Sequence, residues 1–195
     1  MRPYILVASA FSAIFILFAF LARVPTYHIA PIFLIGFLIL TILLRHKLRL
    51  HPLHYLLFAI ALLLHDLGAF GFYQNSPLPF SYDILVHFYF GLVGTLIAYR
   101  YLGQTFPLGP WQQRFGALLL IMGFGAIHEI MEYCSYLLLG EEKGMLKPST
   151  SYFFDTQRDL LNNLLGAITA LLCIAIYRAI HSPAGATGGL SASVM

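Results

Sequence analysis

The chain is poor in charge, in cysteine and in tryptophan. Of 195 residues only 10% are charged, eight are acidic, two are cysteine and one is tryptophan. So little charge at a net +3 leaves no basic surface for nucleic acid, and no nucleic-acid partner is expected. The two cysteines, Cys134 and Cys173, fall in different apolar segments at different expected depths, which excludes a disulfide scaffold. They read as packing residues. Long polar stretches are also missing: 59% of the residues are hydrophobic and the mean hydropathy is +0.81. A soluble domain of this size has no use for so much apolar surface.

What the chain does have is a series of apolar runs near the length of a membrane-spanning helix, about 20 residues. Six are expected, over 4–22, 29–46, 54–73, 82–101, 113–138 and 156–180. The fold class is therefore all-α, an integral membrane bundle of six transmembrane helices. Residues 1–181 form a single domain, and 182–195 are expected to be a disordered Ser-, Ala- and Gly-rich tail. The first run exceeds the roughly 7–15 residues of a signal-peptide core and reads as a spanning helix. Pro31 and Pro52 mark helix starts. Pro77 and Pro79 break the chain before the fourth run, and Gly103 to Pro110 break it before the fifth.

Orientation follows from the basic residues. Arg2, Arg45, Lys47, Arg49, Arg100, Arg114 and Arg178 fall on one side, and Arg23, Lys143, Lys147 and Arg158 on the other. The positive-inside rule then places both termini in the cytoplasm, and the connection after the fifth run, with Glu141 and Glu142, outside. Small residues suited to close helix packing recur at Gly91, Gly94 and Ala98, at Gly123 and Gly125, and at Gly166 and Ala170.

The acidic residues are unusually placed. Asp66, Asp83, Glu129, Glu132, Asp155 and Asp159 lie within or at the mouths of apolar runs. An ionisable residue in a spanning segment is a candidate functional residue. At about 1.5 Å per residue, most of these groups fall within about 5–13 Å of the outer boundary, on four helices. The spacing aligns them within each helix. Asp83 and His87 are one turn apart, as are His128 and Glu132; Asp155, Asp159, Asn162 and Asn163 form a third stripe. Six carboxylates there face Arg158, His65, His87 and His128. So many like charges in a low dielectric need compensation by a metal, by protonation, or by hydration at the headgroups.

The string His128-Glu129-Ile130-Met131-Glu132 resembles the H-E-x-x-H zinc signature with glutamate in the last place. The leading expectation is an intramembrane metal-dependent enzyme, a hydrolase or transferase acting on a lipid or lipid-linked substrate near the outer leaflet. His87, His128, Glu132 and Asp159 are the expected ligands of a divalent Zn, Fe or Mn ion. Glu129 or Asp83 is the expected general base. Asp66, Asp155, Asn162, Asn163 and Tyr136 are expected to contact substrate or support the ligands. Two alternatives use the same residues: a proton- or ion-coupled transporter, and a non-catalytic membrane assembly partner. Substrate and oligomeric state are not legible.

Several strings together resemble one known family. They are His65-Asp66-Leu67-Gly68 through Tyr73, Tyr82-Asp83 with His87-Phe88, Glu129 and Glu132 followed by an aromatic, and Asp155-Thr156-Gln157-Arg158-Asp159. This pattern resembles the YjdF-like family of bacterial inner-membrane proteins, with a weaker likeness to VanZ-like membrane proteins. The resemblance implies a multi-pass protein of the bacterial inner membrane and no particular chemistry.

Overall fold

The computed structural model describes residues 1–21, 30–140 and 152–181. These form six helices: α1 (Arg2–Leu21), α2 (Ala30–Leu44), α3 (Pro52–Leu67), α4 (Tyr82–Thr105), α5 (Pro110–Leu139) and α6 (Tyr152–His181). There is no strand among the described residues. Five helices are long and apolar enough to cross a membrane, and the shorter apolar α2 completes a six-helix bundle. The expected outer loop, with Glu141, Glu142, Lys143 and Lys147, lies outside the described residues, as do Arg23 and the tail 182–195.

The helix ends follow local chemistry. At α3, Pro52 occupies the first turn and His51 Nδ1 accepts from the Leu53 N–H at 3.2 Å. At α5, Pro110 again opens the helix, and the Gln112 side chain accepts from the Gly109 N–H at 2.8 Å. Helix α4 stops at Phe106, whose extended backbone (φ −125°, ψ 146°) is what the following Pro107 requires. The second expected run proved shorter: α2 ends at Leu44, because residues 45–49 turn away through Arg49 at φ 52°. There the Leu50 N–H returns to the Arg45 carbonyl at 2.9 Å.

One boundary has no counterpart in the pattern. Helix α3 loosens into a π-helical turn at Gly68–Phe72, with Gly71 at φ 148°, a conformation open to glycine. A side chain on Gly68 would run into the Tyr73 ring, so that ring is folded back over the helix end.

Helix α4 is central, packed on α3, α5 and α6. It approaches α6 most closely: a Cβ on Gly91 would strike the Asn163 carbonyl, and one on Gly166 the Phe88 carbonyl. Contacts this close require residues without side chains. Gly94 meets Ile121 and Gly125 meets the Asn163 amide, whereas Gly123 has nothing within 4 Å and plays no packing part. Helices α1, α2 and α3 share a separate core around Phe15, Leu38 and Tyr55. It is tied by hydrogen bonds from Tyr4 to the Leu50 carbonyl (2.7 Å) and from Tyr55 to the Leu38 carbonyl (3.1 Å). Outward faces carry exposed Leu, Ile and Phe, as suits helices that meet lipid.

Candidate functional site

α4 and α6 both begin, and α3 and α5 both end, at the same end of the bundle. The polar stripes therefore converge there. His87 stands at the centre, 5% exposed. Its Nε2 lies 3.4 Å from Asp83 Oδ1, one turn away on α4, and 3.8 Å from Asp159 Oδ2 on α6. Its other nitrogen, Nδ1, faces Glu129 Oε1 of α5 at 3.9 Å. One imidazole thus stands within 4 Å of three carboxylates on three helices.

The far sides of two of those carboxylates meet Arg158. Its Nη2 donates to Asp83 Oδ2 at 3.1 Å and to Asp155 Oδ1, and its Nε donates to Asp159 Oδ1 at 3.4 Å. Asp83 and Asp159 each give one oxygen to His87 and the other to Arg158, which fixes their rotation. Asp155 and Arg158 are neighbours on α6 at i, i+3, but Asp83 is 75 residues away and comes within reach through the glycine-lined α4–α6 contact.

A second group adjoins the first. His128 Nε2 pairs with Glu132 Oε1 at 3.2 Å, as the i, i+4 spacing implied. The His128 ring lies 6.0 Å from the rings of both His87 and His65. His65 Nδ1 shares a 2.9 Å hydrogen bond with the Tyr73 hydroxyl. Tyr73 and Phe72 stack edgewise on the buried Tyr82, so aromatic rings line the wall beside α3. Asp66 is fully buried beside His65.

Among the described residues, one group of three or more potential ligand side chains comes close enough for a metal: Asp83, His87 and Asp159, with ligand atoms within 4.8 Å of one another. This differs from the expected ligand set. His87 and Asp159 are in it, with Asp83, expected as a base, as its third member; His128 and Glu132 form a separate pair beside it. Glu129 lies behind the imidazole of His87 rather than on the side shared by Asp83 and Asp159.

The remaining expected residues divide. Asp155 is held by Arg158. Asn162 turns back to donate to the Arg158 carbonyl at 2.8 Å, so it braces its own helix. Asn163 is fully buried a turn deeper, between Gly91 and Gly125. Tyr136 is half-buried one turn beyond Glu132, and its carbonyl receives the Gly140 N–H at 2.8 Å. Sequence reasoning named Arg158 as a nearby charge but not as the clamp on three aspartates. Tyr73 and Tyr82 stood in the family-like strings but had no expected part at the site. The i, i+3 spacing of Asp155 and Arg158 was the available signal for the first; the contact of Tyr73 with His65 depends on the π-helical turn, which helical periodicity does not show. Both cysteines are free.

Comparison with known proteins agrees with the architecture. The Escherichia coli K12 protein described as inner membrane protein YjdF is 26% identical over 161 residues, covering 76% of each chain. No solved structure matches. A multi-pass protein of the inner membrane is the consistent description. The model of a family described as predicted membrane protein (DUF2238) matches residues 3–180, nearly the whole chain, and the protein belongs to that family.

Proposed function

We propose that this protein is an intramembrane metal-dependent enzyme, a hydrolase or transferase acting on a lipid or lipid-linked substrate near the outer leaflet. The observation that carries the reading is the spacing of the Asp83–His87–Asp159 group. Ligands about 2.0–2.2 Å from a tetrahedral ion lie roughly 3.4 Å from one another. His87 Nε2 stands 3.4 Å and 3.8 Å from the two aspartate oxygens, close to that spacing. An imidazole with two carboxylates suits Zn, Fe or Mn.

The surroundings support the same reading. Metal-bound histidine commonly gives its second ring nitrogen to a carboxylate, which fixes the tautomer. Glu129 Oε1 faces His87 Nδ1 from 3.9 Å, the side from which such a carboxylate would accept once drawn within hydrogen-bond distance. Ligating carboxylates are commonly held by a further donor, and Arg158 serves Asp83 and Asp159 so. A divalent ion bound there would supply Lewis-acid polarisation of a phosphoryl or carbonyl oxygen. The His128–Glu132 pair, one ring contact away, would take up a proton in place of the expected base. The position of the cluster at one end of the helices would bring it to a headgroup rather than to acyl chains.

Elemental analysis tests this directly. The purified protein, supplied with Zn, Fe or Mn during growth, is expected to carry stoichiometric metal. His87→Ala and Asp159→Asn should lose it. Glu129→Gln should keep it with affinity reduced by roughly 10–100-fold, the usual effect of removing a carboxylate behind a ligand. Wild-type protein free of all three metals, or His87→Ala retaining full metal, overturns the proposal.

A further inference from the structure

Below the carboxylate cluster, polar side chains of α4 and α6 continue at the four-residue spacing of one α4 ridge. Asp83 and His87 are followed by Gly91, against which Asn163 of α6 packs, then by Thr95, then by Tyr99. Asn163 and Thr95 are fully buried and Tyr99 is 8% exposed. Beyond Tyr99, the buried Gln113 of α5 donates to the Tyr99 carbonyl at 2.7 Å and lies against Gly103. From 83 to 103 is about 20 residues, or roughly 30 Å of helix, the thickness of a bilayer's hydrocarbon core.

Four buried polar atoms along this line have no hydrogen-bond partner among the described residues: both amide atoms of Asn163, Thr95 Oγ1 and the Tyr99 hydroxyl. Their counterparts elsewhere behave differently. Thr41 and Thr169 bond to carbonyls of their own helix one turn back, at 2.8 Å each. Asn162 does the same. Thr95 and Asn163 instead keep their polar atoms in the helix interface. Polar groups left bare in an apolar interior are costly, and ordered water is the usual partner. On one helix, Cβ atoms a turn apart are about 5–6 Å from each other, a span that water bridges between polar side chains.

We propose that Asn163, Thr95 and Tyr99 hold a file of ordered water between α4, α5 and α6, and that this file conducts protons between the carboxylate cluster and the opposite end of the bundle. The Thr95 and Tyr99 hydroxyls both accept and donate, so a proton is relayed through them as through water. Each hop forms one O–H bond and breaks the next, and a proton entering at one end is matched by one leaving at the other. Asn163 orients a water through its two amide atoms where the file meets the cluster. The file needs no bound metal.

The test uses the full-length protein in phosphatidylethanolamine–phosphatidylglycerol vesicles holding a trapped pH dye. A valinomycin–potassium potential drives protons inward. Wild-type protein is expected to acidify the lumen faster than protein-free vesicles do. Thr95→Ser, which keeps the hydroxyl, should conduct, while Thr95→Val and Asn163→Leu should fall to the protein-free rate. Thr95→Val is near-isosteric, and its unchanged melting temperature and metal content would separate a lost path from a lost fold. Wild-type flux no greater than that of empty vesicles overturns the proposal. So does undiminished flux in both Thr95→Val and Asn163→Leu, or a loss in Thr95→Ser equal to that in Thr95→Val. Metal content is measured on the same preparations, so failure of the file and failure of the metal site are told apart.

Discussion

Replacing Arg158 by methionine keeps much of the side chain's length and removes its charge. In the wild type the guanidinium serves Asp83, Asp155 and Asp159, whose side chains are 20%, 9% and 2% exposed. At an effective dielectric of about 20, a contact near 3 Å is worth roughly 5 kcal/mol of gross attraction. Desolvation offsets most of that, so the three contacts do not sum. Removing the cation leaves the carboxylates buried and mutually repelling, a change that typically costs about 3–5 kcal/mol. For a chain of this size each kcal/mol lowers the melting temperature by about 2–4 °C, giving an expected drop of roughly 6–20 °C. Thermal aggregation in mild detergent, followed by size-exclusion chromatography, reads the shift. Adding Asp155→Asn to Arg158→Met should recover part of it, because one repelling charge is gone. A drop under about 2 °C, corresponding to less than 1 kcal/mol, would refute the view that Arg158 clamps the cluster. Failure of Asp155→Asn to recover any of a large drop would refute the electrostatic account of it.

Two further outcomes follow from packing and charge. Gly91→Ala places a methyl against the Asn163 backbone carbonyl and should destabilise by about 1–3 kcal/mol, whereas Gly123→Ala meets nothing within 4 Å and should be neutral or gain up to about 1 kcal/mol in helix propensity; equal melting temperatures for the two variants would refute the close α4–α6 contact. A cysteine at position 144, in a chain with Cys134 and Cys173 replaced by serine, should react with an impermeant thiol reagent in intact cells, as the positive-inside rule implies. Labelling only after permeabilisation would reverse the orientation.

The stripes that build the site were legible because helical periodicity is local. Asp83 with His87, and His128 with Glu132, are one turn apart in any α-helix, and the structure finds both pairs in contact at 3.4 Å and 3.2 Å. The apolar runs and their proline and glycine breaks likewise specify where helices start and stop, within a few residues. Periodicity does not say which stripe faces which. Asn162 and Asn163 are adjacent, yet one braces its own helix and the other enters the α4–α5–α6 interface. Gly123 and Gly125 are both small, yet Gly125 alone of the two meets a neighbour.

The amino-acid sequence by itself determined the membrane class, the six helices and the gathering of carboxylates at one end of the bundle, since each depends on hydropathy and on spacing within a single helix. The tertiary structure decided the rest. It set Asp83, rather than His128 or Glu132, beside His87 and Asp159. It brought Arg158 onto Asp83 across 75 residues of chain. It folded Tyr73 over Gly68 onto His65 through a π-helical turn. These contacts depend on how closely two helix backbones approach and how each is rotated about its axis. That rotation is set jointly by every side chain in the interface, and no stretch of one helix contains it.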